Sequence, residues 1–190
     1  MSKISPQKVI SDPHPSLHQQ SQTIKKIDQN VKDLIATMQA TIASWEDDQS
    51  HYISVGLAAV QIDQPYRVIL VRGDDDKFYT LINPEIVKYD GLPIVDYESC
   101  MSVHGLHGKV PRYPKIRVRA LNEDGEAITF TAKGYEAKII QHEVDHTNGL
   151  IFLDRSLRED QGGRFKILNE ATGEFEYVKE PEYLKNKPKD

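Results

Sequence analysis

Cysteine is almost missing from this sequence, and so is any long apolar run. The one cysteine, Cys100, has no partner for a disulfide within the chain. A lone thiol is left to serve as packing, nucleophile or metal ligand. No apolar stretch approaches the ~20 residues that cross a bilayer, and the first residues carry neither the apolar core of a signal peptide nor an Arg-rich amphipathic stretch. A cytoplasmic chain without membrane contact is therefore expected. A cationic surplus is absent too: 24 Lys and Arg against 29 Asp and Glu leave a formal charge of −5. Such a balance, spread along the whole length, argues against direct nucleic-acid binding through a basic stripe. There is no internal repeat and no low-complexity segment. The 190 residues fit one compact domain with tails.

What is present is strong periodicity. Residues 1–20, with Pro6, Pro13 and Pro15, read as an extended lead-in. From Ser21, the spacing of Ile24, Ile27, Val31, Leu34, Ile35, Met38, Ile42 and Trp45 predicts one long amphipathic helix. Stretches rich in β-branched and aromatic residues at 67–72, 78–82, 86–89 and 94–97 predict strands, separated by Asp74-Asp75-Asp76, Asn83-Pro84 and Asp90-Gly91. Residues 116–121 and 127–131 flank Asn122-Glu123-Asp124-Gly125, a hairpin signal. A second helix is expected from near Gly134 to Asn148-Gly149, where glycine ends it. Beyond Leu157, 165–168 and 175–178 can pair across 169–174 before a Pro- and Lys-containing end. The fold class is α+β, with antiparallel or mixed sheets around the second helix and a long N-terminal helix.

That second helix carries His142-Glu143-Val144-Asp145-His146. At about 100° per residue, His146 falls about 40° from His142 and Glu143 about 100° from it, so both imidazoles share a face with the carboxylate beside them. Two ring nitrogens one turn apart can meet one metal ion, and the glutamate is placed to act on water there. A helix that carries two histidines by chance has the same spacing. Two histidines also leave a catalytic site one ligand short. Downstream of His146 there is no further histidine, only acids such as Asp154, Glu159 and Asp160; upstream, Cys100 follows a predicted strand directly.

In chain order, Gly56-Leu57-Ala58-Ala59-Val60-Gln61, Glu98-Ser99-Cys100-Met101-Ser102 and Gln141-His142-Glu143-Val144-Asp145-His146 make this sequence resemble the peptide deformylases, from about residue 55 to about 157. These metal hydrolases remove the N-formyl group from the initiator methionine of new bacterial-type polypeptides. The resemblance implies that Cys100, His142 and His146 hold one divalent ion, ferrous iron in that family, though zinc, nickel or cobalt suits the same donors. It makes Glu143 not a ligand but the general base for water and then the general acid toward the departing amine. Gln61, through its amide, and Met101, through its backbone N–H, would face the oxyanion. Val55, Tyr135 and Ile139 are expected along a pocket for the methionine side chain, and Val55 and Gly56 to pair with an extended substrate. Glu98, Arg112 and Asp145 would support the ligands, Asp145 either by orienting an imidazole or by pairing with Arg112. Residues 1–157 are read as the catalytic domain and 158–190 as a peripheral hairpin and tail. The implied partners are N-formylmethionyl nascent peptides, with the ribosome left open.

Some positions depart from the family pattern. Ser54 and Ser99 stand where glycine is usual, and at a positive φ Ser99 would carry about 1 kcal/mol of strain. His104-Gly105-Leu106-His107 replaces Pro-Gly-x-Arg, removing an arginine that could pair with Glu98. His104 and His107 read as loop residues, or His107 as a weaker, pH-dependent partner of Glu98. These changes bear on rate and substrate range. Two other readings use the same helix: a zinc peptidase, against which Cys100 and Gln61 speak, and a deformylase-like protein that binds N-termini without turnover.

Overall fold

The computed structural model describes residues 4–48, 53–73, 75–169 and 172–185. Asp74 of the acidic turn, residues 170 and 171 of the last hairpin's turn, and the end at 186–190 lie outside the described residues. The lead-in is extended apart from a 3-10 turn at Pro15–His18, which buries Leu17 completely.

The long helix, α1, spans Gln29–Asp48, eight residues shorter at its start than periodicity suggests. Asp28 sets the boundary, its Oδ1 accepting the backbone N–H groups of Asn30 and Val31 at 3.0 and 3.3 Å. Upstream, Asn83 takes both backbone groups of Ile24, at 2.8 Å each, and Gln22 bridges to Tyr66. Ile24 therefore reaches the core from an extended strap. An apolar spacing of three or four does not by itself distinguish the two conformations.

One sheet has the order β1-β2-β3-β6-β7, from β1 (Gly56–Ala58), β2 (Val68–Arg72), β3 (Phe78–Asp90), β6 (Lys115–Leu121) and β7 (Ala127–Lys133). The other has the order β4-β5-β8-β9, from β4 (Ile94–Cys100), β5 (Val103–Arg112), β8 (Phe165–Asn169) and β9 (Glu174–Val178). Every pairing between these strands is antiparallel. The two strands predicted at 78–82 and 86–89 are one. At Asn83-Pro84 the ladder breaks into a bulge, Asn83 takes φ 52°, and pairing with β6 resumes at Glu85. Strand β5 was not expected; it carries His104 and His107, which are thus strand rather than loop residues. Gly105 and Gly108 within it hide the alternation that marks a strand.

Helix α2 (Gly134–Thr147) packs Ala137, Ile140 and Val144 against Ile69, Val71, Ile116 and Val118 of the first sheet. Its other side meets β4 and β5 through polar contacts described below. Gly149 ends it at φ 75°, and the backbone of His18 and Gln19 passes so close that a Cβ there would lie 2.9 Å from it. The short α3 (Phe152–Arg155) follows.

The C-terminal hairpin is tied in more closely than its polar composition suggests. Phe165 is buried with Val110, Phe152 and Leu17, and Leu184 joins them from α4 (Glu182–Lys185). Phe165→Ala is expected to lower unfolding stability by about 3–5 kcal/mol, read as a shift of the urea midpoint. A change below about 1 kcal/mol would show that the hairpin packs only peripherally.

Candidate active site

Three chain segments meet at the polar face of α2. The end of β4 brings Cys100, the 3-10 turn Ala59–Ile62 brings Gln61, and α2 brings His142, Glu143 and His146. The ligand atoms of Cys100, His142 and His146 all lie within 4.8 Å of one another, and Cys100 Sγ is 3.2 Å from His146 Nε2. Asp154, by contrast, caps α3 by accepting the N–H of Ile151, and Glu159 accepts the N–H of Glu180. The third donor of the cluster is therefore the cysteine.

The imidazole of His142 is oriented from behind. Its Nδ1 lies 3.0 Å from Glu98 Oε2, which leaves Nε2 for the cluster. Glu98 accepts two hydrogen bonds from Arg112, at 2.9 and 3.0 Å, and Arg112 also donates to Asp145, which takes two more from Arg155. Of its two expected roles, Asp145 thus shows the pairing with Arg112. Arg112 also supplies the guanidinium that the His104–His107 segment lacks, while His107 rests edge-on against Phe175, 4.9 Å between centroids. Arg155 had no sequence signal, since nothing local links it to the motif ten residues earlier.

Burial alone would raise the Glu98 carboxyl, but hydrogen bonds from His142 and Arg112 outweigh it and hold the group down from 4.5 to about 2. Burial would lower Arg112, and Glu98 and Asp145 more than offset that. Burial lowers both ligand imidazoles. Cys100 and Glu98 pull His142 well up, whereas His142 and Arg112 push His146 further down.

Glu143 is not part of the ligand cluster. It is buried, and its Oε2 has no hydrogen-bond partner among the described residues. Burial pushes the carboxyl from 4.5 up to about 7, with Glu98 adding to the rise against His142 and Arg112. A cation in the neighbouring cluster would draw it down again. The carboxylate lies against Gly56, where a Cβ would sit 2.5 Å from Glu143 Oε1. Gln61 is fixed at both ends of its amide: Oε1 accepts from Ala58 N at 2.8 Å, and Nε2 donates to Ser102 Oγ at 3.2 Å and reaches Cys100 Sγ at 3.5 Å. Ser102, named in the cysteine motif but given no contact there, is the hydroxyl that holds the Gln61 amide.

These groups open onto a cleft of about 220 Å³ whose lining includes Val55, Met101, Tyr135 and Ile139, with Trp45 of α1 as an unforeseen wall. Ser99 is not among the described non-glycine residues with positive φ, so it carries no backbone strain there. Ser54 is buried, its hydroxyl donating to Gly56 O at 3.1 Å.

A thiol and two imidazoles converging on one point, with a carboxyl held apart from them, fit a divalent metal and a proton-transfer group. Fold and site together define a metal-dependent hydrolase. The sequence matches the family described as Polypeptide deformylase over residues 6–161, and the chain belongs to that family, whose members remove the N-formyl group from nascent polypeptides. The peptide deformylase of Dictyoglomus thermophilum is 38% identical over 145 residues, covering 76% of this chain and 89% of that relative. A class I type b peptide deformylase from Acinetobacter baumannii, in a structure with Met-Ala-Ser bound, superposes with a TM-score of 0.71 at 26% identity, covering 80% of this chain and 99% of that one. The Thermotoga maritima peptide deformylase superposes at 0.73 with 29% identity, covering 80% of this chain and 98% of that one.

Since the folded-state value of Glu98 lies below its unfolded value, its stabilisation is full above pH ~4.5 and lost as pH falls toward about 2. Glu98→Gln should cost about 3 kcal/mol at pH 6 by leaving Arg112 underpaired in the interior, and should flatten the pH dependence of the urea midpoint below pH 5. An unchanged slope would place the acid sensitivity elsewhere. Gly56→Ala should displace the Glu143 carboxylate and cut turnover by at least ~100-fold, with metal content by elemental analysis unchanged.

Proposed function

We propose that this chain deformylates nascent polypeptides in the cytoplasm as they emerge from the ribosome, with ferrous iron held by Cys100, His142 and His146. The observation that carries the role assignments is the isolation of Glu143: buried, facing the cleft, next to the cysteine–histidine cluster but outside it. When bound, the cation supplies Lewis acidity toward the formyl oxygen and toward water.

The protein's own groups do the rest. Glu143 takes the proton of the attacking water and returns it to the departing amine, for which a buried carboxyl beside the ligand cluster but outside it is suited. The Gln61 amide, held by Ala58 and Ser102, and the backbone N–H of Met101 are the donors for the oxyanion. Glu98 keeps the His142 ring in place, and Arg112 with Asp145 keeps Glu98 in place. On the substrate side, β1 is an edge strand of its sheet, so an extended peptide can lie beside Val55 and Gly56. The methionine side chain then enters between Tyr135 and Ile139.

The test is formate release from formyl-Met-Ala-Ser by protein purified anaerobically with iron, or with nickel as an air-stable substitute. Glu143→Ala should retain a full metal equivalent and lose about 10²- to 10⁴-fold in turnover. In the unsubstituted enzyme kcat/KM should fall on the acid side as Glu143 becomes protonated, with a midpoint below 7 once the cation is bound. Chelation should abolish activity and the original metal restore it. Cleavage of internal peptide bonds would replace this reading with a peptidase, and metal binding without formate release would replace it with a binder of N-termini.

A further inference from the structure

On the second sheet, three cations meet aromatic rings and, among the described residues, no carboxylate. Lys166 Nζ lies 3.7 Å from the ring centroid of Phe175 and 4.3 Å from that of Tyr97. Lys109 lies 5.9 Å from Tyr97, and the Arg164 guanidinium 5.8 Å from Tyr177. Among the described residues the ion pairs run elsewhere, Asp96 beside Tyr97 being taken by Lys138 at 2.8 Å. A ring attracts a cation without neutralising it, so these three keep their charge available to an outside group.

Strand register puts the two lysines and the rings on one surface, and Arg164 reaches it through Tyr177. Tyr97 pairs with Lys109, His107 with Lys166, and Lys166 with Tyr177, and residues directly opposite each other project to the same side. Phe175, two positions before Tyr177, joins them, while Glu174 and Glu176 alternate to the other side. Phe175 and Tyr177 remain 46% and 69% exposed. The surface is continuous with the cleft, because Tyr97 and His107 line it and His107 touches Phe175. Its outer half, β8 and β9, lies beyond residue 161, where the match to the family ends.

We infer that this face, Lys109, Arg164 and Lys166 set among Tyr97, Phe175 and Tyr177, binds acidic side chains of the substrate peptide downstream of the formylated methionine. The inference rests on the deformylase reading. A local cation cluster on a chain of net charge −5 complements an acidic segment. The two strand spacings from β5 to β9 are about 10 Å, which an extended chain crosses in about three residues. Residues four to six of the substrate are therefore the ones selected.

The experiment compares kcat/KM for the amidated hexapeptides formyl-Met-Ala-Ala-Glu-Glu-Asp and formyl-Met-Ala-Ala-Gln-Gln-Asn, with formyl-Met-Ala as the short control. At low salt the acidic peptide should be preferred about tenfold, and the preference should shrink severalfold at 0.5 M salt. In Lys109→Gln/Lys166→Gln it should fall to less than twofold while formyl-Met-Ala is turned over as before, which also shows that the variant is folded. Equal turnover of the two hexapeptides by the unsubstituted enzyme, or a preference kept by the variant, overturns the inference. So does binding of an RNA oligonucleotide lost in the variant without any peptide discrimination, which would assign the face to nucleic acid. If formyl-Met-Ala is not hydrolysed at all, the deformylase reading falls separately. Fluorescence anisotropy of the labelled acidic and amide peptides on the two proteins then still decides the docking surface.

Discussion

Arg112 is the contact on which the site's geometry depends. Its side chain sits in the interior between Glu98 of β4 and Asp145 of α2, and Asp145 in turn is held by Arg155 of α3. One buried guanidinium thus joins the second sheet to the helix that carries the histidines. A buried charge array of this kind contributes little net stability over an apolar equivalent, but its members cannot be removed singly without stranding the others in a low dielectric. Its effect is positional. The planar fork of Arg112 fixes Glu98 through two bonds, and Glu98 fixes the ring of His142.

The opposite wall is set by packing rather than by charge. Gly56 lets the backbone of β1 lie against the Glu143 carboxylate, and the hydroxyl of Ser54 bonds to the Gly56 carbonyl. Arg72 holds the same strand through the carbonyl of Ser54 and reaches Glu46 at the end of α1. The first helix thereby positions the strand that shapes the surroundings of the Glu143 carboxylate. One partner atom of Glu143 is left unsatisfied between these walls, an arrangement that is costly in a core and useful in a site that admits water.

The cleft is asymmetric as a result. Its inner end is built from residues whose environment is fully determined, namely Cys100, Gln61, Glu143 and the two histidines. Its outer end runs onto a sheet face where Lys109, Arg164 and Lys166 lie against aromatic rings and, among the described residues, form no ion pair. The buried end thus holds the metal-binding cluster, while the outer face stays exposed.

Much of this was legible without coordinates. The helix period brought His142 and His146 to one face with Glu143 beside them, while Gln61 and Cys100 were legible only through the resemblance of the Gly-Leu-Ala-Ala-Val-Gln and Glu-Ser-Cys-Met-Ser segments to the peptide deformylases. The boundaries of α1 and the existence of β5 were not legible, since a long-range bond from Asn83 and the pairing partners β4 and β8 decide them. Arg155, Ser102 and Trp45 could not be assigned from local spacing, because each acts across elements brought together only by folding. The sequence by itself placed His142 and His146 on one helix face with Glu143 beside them, through local periodicity, and its resemblance to the peptide deformylases added Cys100. Only the tertiary structure decided what holds them, the Arg112 array, and what the cleft opens onto, the cationic face. Those depend on strand register and burial, which no segment of chain specifies alone.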